Sequence, residues 1–174
     1  MAIEQNEKAT FYQYRLIRKI NRNYKMRRIY MVLPLLMVIS EICLFSWSSI
    51  LFFVLAAPVV IWIQYVISHS VLVIAGQSYR KRWRFSKQFP WFGYMPDQHV
   101  GYSIFRRVSL HMTWIGLCVI AVLIPWSPIS FILSLIFWHV WSILPRIYTF
   151  VCLRKEPKDG MIKFNPEDIS YYLQ

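Results

Sequence analysis

From Ile29 to Gln77 the one side chain expected to ionise is Glu41. A carboxylate in hydrocarbon is costly unless it is protonated or paired, so an acid in such a run is a functional hypothesis by default. Glu41 lies six residues before Trp47, roughly 9 Å away at the helical rise. Two chemistries suit it. It could carry a proton or a cation across a membrane, or it could join helices as a neutral, hydrogen-bonded acid. His139, ten residues past Ile129, would lie about 15 Å deep by the same rise. His69 and His111 fall towards the other ends of their apolar runs, where they could approach each other. Two histidines without further ligands make no zinc site. Interhelical hydrogen bonds are therefore expected of them, and no metal or cofactor. His99 has no partner motif. Cys43, Cys118 and Cys152 lie in or beside apolar runs without a CxxC pair, and read as free thiols. GxSxG, HExxH, Walker and GxGxxG patterns are absent, so no enzyme is expected.

The second constellation is the segment 77–105, QSYRKRWRFSKQFPWFGYMPDQHVGYSIF. Arg80, Lys81, Arg82 and Arg84 form a basic cluster suited to anionic lipid head groups. Trp83, Phe89, Trp91 and Phe92 are aromatic anchors of the kind that dominate protein interfaces, and a partner subunit is expected to dock on them. Pro90, Gly93, Pro96 and Gly101 exclude one long helix.

These residues are positioned by long apolar runs. Of the 174 residues, 57% are hydrophobic and 18% aromatic. A bilayer needs about 20 apolar residues per helix, so Ile29–Gln77 and Val108–Pro145 each hold two crossings. The net charge is +12, and its placement sets the orientation. Eight of the 20 Lys and Arg residues precede Ile29, seven lie from Arg80 to Arg107, and five follow from Arg146 on. The turns at 46–49 and 125–128 carry no charge. The positive-inside rule puts both termini and the middle segment in the cytoplasm and both turns outside. Basic clusters also bind phosphate backbones, but clusters abutting membrane helices are first topology signals. No direct nucleic-acid contact is expected.

The two runs share a plan. Arg27-Arg28, Trp47-Ser48, Ile50, Phe52 and Trp62 recur 79 residues further on as Arg106-Arg107, Trp126-Ser127, Ile129, Phe131 and Trp141. The fold predicted is an all-α membrane protein with four transmembrane helices in two tandem hairpins. Its parts are a basic segment at 1–28, a hairpin at 29–76, a basic-aromatic cytoplasmic segment at 77–107, a second hairpin at 108–146 and a tail at 147–174. Phe11, Tyr14, Ile17, Ile20 and Tyr24 at helical spacing predict an amphipathic helix over Phe11–Arg28, lying in the head-group layer or extending the first span. Asn165 reads as the cap of a short helix over Glu167–Leu173. Arg146 should snorkel to the inner surface, with Ile147–Leu153 continuing along it.

The basic-aromatic segments Phe11–Arg28 and Tyr79–Arg107, each followed by a helical hairpin, resemble the plan of TcpE-like small membrane subunits of Gram-positive conjugation machinery. That resemblance implies a subunit of a type IV secretion-like channel in the cell membrane, beside a cytoplasmic ATPase and other membrane subunits. The expected role is anchoring or recruiting partners in a multiprotein membrane complex. The alternative is a small proton- or cation-coupled transporter using Glu41.

Overall fold

The computed structural model describes residues 15–21, 24–86, 91–165 and 168–173. Phe11, Tyr14, Phe89, Pro90 and Glu167 lie outside the described residues.

Four long helices form the body: α1 (Tyr24–Leu44), α2 (Ser49–Ala75), α4 (Tyr102–Leu123) and α5 (Ile129–Cys152); α3 (Gln77–Arg80) is a single turn. The shared plan reappears in the element boundaries. Leu44 ends α1 and Leu123, 79 residues on, ends α4. Among the described residues, three helical stretches are long and apolar enough to cross a membrane: Ser49–Ala75, Tyr102–Trp126 and Ile129–Cys152. The fourth helix, α1, has 21 residues, about 32 Å at the ordinary rise, but Lys25, Arg27, Arg28 and Glu41 interrupt its apolar character. Leu51, Val54, Trp62 and Ile74 on α2 and Trp114 and Val122 on α4 face outward, as lipid-facing side chains do and as a water-soluble bundle would avoid.

Within the bundle, α2, α4 and α5 pack on one another. Ala56, Val60, Ile120, Ile132 and Leu135 form one apolar cluster, and Ile67, Met112 and Ile143 another. Helix α1 lies against α5, with the Tyr30 ring stacked on Trp141 at 4.1 Å. The Trp141 indole donates to the Tyr30 carbonyl at 2.9 Å.

The remainder is not all-α, and three expectations are corrected here. The Phe11–Arg28 segment is not one helix. Arg15–Asn21 is strand β1, and the helix starts at Tyr24. The tail helix at 167–173 is instead strand β6 (Asp168–Leu173), paired with β5 (Met161–Phe164). Asn165 belongs to the turn between them: its side chain donates to Asp168 Oδ2 at 3.2 Å. The segment 147–153 continues α5 through Cys152 rather than leaving it. The middle segment folds as a hairpin of β2 (Trp83–Ser86) and β3 (Gly93–Pro96), followed by the short β4 (Val100–Gly101).

Strands β1, β6, β5 and β4 form one antiparallel sheet in that order. Along β6, Ile169 and Tyr171 are buried in one cluster with Trp83, Trp91, Met95, Phe105, Leu153 and Ile162. On its other side Lys19 reaches Asp168 at 3.6 Å; Arg18, opposite Tyr171 in the register, pairs with Glu156 at 3.1 Å. Gly160 is needed at the entrance to β5, because a Cβ there would fall 2.1 Å from the Tyr171 hydroxyl. The N-terminal strand, the middle segment and the tail thus make one module, at one end of the helices.

Candidate functional site

Glu41 lies on the face of α1 turned towards α5 and is 2% exposed. Its Oε1 is 2.8 Å from the Ser134 hydroxyl, which is also 2.9 Å from the Ser130 carbonyl. A serine has one hydrogen to give, so an ionised Glu41 and the carbonyl would compete for it. A proton on Glu41 resolves this: the acid donates to Ser134, and Ser134 donates to Ser130. Oε2 is buried without a hydrogen-bond partner, which a neutral acid's carbonyl tolerates far better than a carboxylate does. The arrangement is a hydrogen-bonded joint between α1 and α5.

His139 lies deeper in the bundle, at the contact of α2, α4 and α5, and is buried. Its Nε2 is 3.3 Å from the Thr113 carbonyl, and its Nδ1 is 3.3 Å from Gln64 Nε2. A carbonyl only accepts, so Nε2 carries the hydrogen and Nδ1 accepts from the Gln64 amide. Gln64 also donates to Ser142, whose hydroxyl donates to the His139 carbonyl at 2.8 Å. Every polar atom named has a partner in one neutral tautomer. Gly116 makes room for the ring, since a Cβ there would lie 2.2 Å from His139 Cε1. Small residues at helix contacts allow this close approach. His69 and His111 do not join it: His69 packs beside the Tyr65 ring, and His111 donates from Nδ1 to the carbonyl of Arg107, one turn back. Among the described residues no three His, Cys, Asp or Glu side chains converge on a metal position.

Arg146 departs from its expected snorkelling. It is buried on α5, facing α4 and the β2–β3 hairpin. Its Nη2 donates to the Tyr94 carbonyl at 2.7 Å, its Nη1 to Ser109 Oγ at 3.4 Å, and its guanidinium lies 5.9 Å from the Phe105 ring centroid. The planar fork lets one side chain fasten the hairpin to two helices. A lone arginine after an apolar run usually reaches water, and no local pattern reports the strand that Arg146 binds instead.

The aromatic anchors divide. Trp83 and Trp91 are 3% and 5% exposed. Trp83 stacks on Phe105 at 6.3 Å and Trp91 meets Phe164 edge-on at 5.4 Å. They hold the middle segment to α4 and β5, so their rings are not offered to a partner in this fold. Phe92 is half-buried and meets Phe85, itself 45% exposed, at 5.4 Å. Phe89 lies outside the described residues. Of the basic cluster, Arg80, Lys81 and Arg84 are exposed, and Arg84 is 3.6 Å from Asp97. Arg82 turns inward to donate to the His99 carbonyl at 3.1 Å. Burial, with Lys163 and Arg82 close by, holds the His99 imidazole below its ordinary range.

The chain matches no protein-family model, no curated protein and no solved structure.

Proposed function

We propose that the chain is a four-span protein of the cell membrane, with both termini and the β-module in the cytoplasm, that anchors or recruits partners in a multiprotein membrane complex. The observation that carries this reading is the pairing of β1 with β6 in one sheet with β4 and β5. Helix α2 ends at the module, α4 begins there, and α5 returns to it. For β1 to pair with β6, α1 must run from the module to the turn at 46–49. On this reading α1 is a fourth crossing beside the three helices that are apolar enough to span by composition. Trp47 and Trp126, 77% and 79% exposed, lie at the two uncharged turns, where interfacial tryptophan belongs. The charge asymmetry favours the module end as the cytoplasmic one.

The helices pack tightly, and almost nothing extends beyond the far turns. The folded mass outside the bundle is the basic module, which favours presentation of a surface over passage of a solute. With Trp83 and Trp91 in the core, the docking face is assigned to Phe85 and Phe92 with Arg80, Lys81 and Arg84 around them. A conjugation-type secretion complex with a cytoplasmic ATPase is the assembly the TcpE-like plan suggests. Changing Phe85 and Phe92 together to serine should leave expression and insertion intact and lose the partner from detergent pull-downs. Retention of every partner by that double variant would refute recruitment through this face.

One observation favours a second reading, a proton- or cation-coupled transporter: Glu41 is buried with one oxygen unpartnered. Glu41→Gln separates the two. The amide still donates to Ser134, so a joint survives it, whereas a proton carrier inserts normally and is inactive.

A further inference from the structure

At the module end of α4 an open cleft of about 270 Å³ is lined by Ser103, Arg106, Arg107, Leu110 and His111, and by Lys158 from the loop between α5 and β5. No acid is among its lining residues. Among the described residues Arg106, Arg107 and Lys158 form no ion pair. Three cations from two separate elements therefore converge on one concavity with no counter-ion among the described residues. Like charges so placed repel one another, and an anion in the cleft removes that cost.

The surroundings identify the anion. Arg106 and Arg107 immediately precede the apolar part of α4, the level at which a head group lies. Directly along the helix from the cleft, Leu110, Trp114 and Leu117 are all exposed and fall on one face at four- and three-residue steps. A soluble phosphate would use the cations and ignore this stripe; a phospholipid would use both. We infer that the cleft binds the phosphate of an anionic phospholipid, whose acyl chain lies along Leu110, Trp114 and Leu117. This inference rests on the membrane reading above. It differs from the diffuse attraction of Arg80, Lys81 and Arg84, which lie on α3, the turn after it and β2 and do not line the cleft.

The test uses the full-length protein in phosphatidylcholine vesicles carrying spin-labelled phosphatidylglycerol or spin-labelled phosphatidylcholine. The motionally restricted lipid fraction is measured by electron paramagnetic resonance. Wild type should select the anionic lipid about fivefold or more. The variant R106Q/R107Q/K158Q should lose that selectivity, and R80Q/K81Q/R84Q should keep it. Because Arg106 and Arg107 also orient the helix, Ser103→Glu serves as a second variant. It retains every cation, adds an acid inside the cleft where a helix N-terminus tolerates it, and should also abolish selectivity. Undiminished selectivity in both cleft variants overturns the assignment, as does equal loss in R80Q/K81Q/R84Q. Displacement of the labelled lipid by inorganic phosphate at constant ionic strength would assign a soluble anion and overturn the lipid. Protein extracted from the vesicles by alkali would overturn the membrane reading itself; firm insertion without selectivity would overturn the cleft alone.

Discussion

Gly116→Ala offers the sharpest test of how the helices are locked together. Added to an ordinary helix, the methyl group would stabilise by about 1 kcal/mol. Here it would meet the His139 ring at 2.2 Å. The ring cannot simply swing away, because its two nitrogens are held by Thr113 and Gln64 on different helices. Overpacking of this kind costs about 1–3 kcal/mol. Giving up the two interhelical hydrogen bonds adds about 0.6 kcal/mol each. After the gain in helix propensity, the net loss should be about 1–3 kcal/mol. Reversible unfolding in mixed micelles, followed by tryptophan fluorescence, measures it. With His139→Ala in place the obstacle is gone, and Gly116→Ala should become neutral or stabilising, with a coupling of at least about 1 kcal/mol between the two sites. A Gly116→Ala protein as stable as wild type, or additive effects of the two changes, would refute the packing described for α4 and α5.

Two further outcomes concern the module. Trp83→Ala, at the heart of its apolar cluster, should cost about 3–5 kcal/mol and render the hairpin sensitive to limited proteolysis; Phe85→Ala at the exposed position should not. Burial raises the Asp168 carboxyl, but hydrogen bonds from Ser170 and Asn165, with Lys19 adjacent, outweigh it and hold the group below its ordinary value. A depressed carboxyl stabilises above its unfolded value and loses that contribution as pH falls through the folded one. Amide exchange in β1 and β6 should therefore accelerate below about pH 4, and Asp168→Asn should remove this acid-dependent step.

The apolar runs, the turns and the offset of 79 residues were legible because helical spans depend on local composition. The middle segment's refusal to form a long helix was legible from Pro90 and Gly93. The sheet was not, because each strand is short and its partner distant: Arg15 pairs with Leu173, and no local pattern reports that. Ile17, Ile20 and Tyr24 fit a helical spacing, yet β1 is fixed by β6 and not by its own periodicity. In β6 a signal was present. Ile169, Tyr171 and Leu173 alternate, as strand residues do, but Asn165-Pro166 just before them has the residue types of a helix start. The exposed and buried aromatics were equally illegible, since Trp83 and Phe85 stand two residues apart on one face of β2 and differ only in what distant elements pack against each. Glu41 was found from charge alone, its partner Ser134 was not, and Gly116 carried no signal until His139 stood opposite it.

Four crossings with the module inside can be tested most directly by single-cysteine labelling in intact cells, with Cys43, Cys118 and Cys152 replaced by alanine. Ser48→Cys and Ser127→Cys, at the two turns, should react with an impermeant thiol reagent. Arg15→Cys on β1 and Arg154→Cys after α5, both at exposed positions, should react only once the membrane is opened. Labelling of Arg15→Cys in intact cells, with Arg154→Cys still protected, would mean that α1 does not cross and would contradict the shared sheet on which the topology rests.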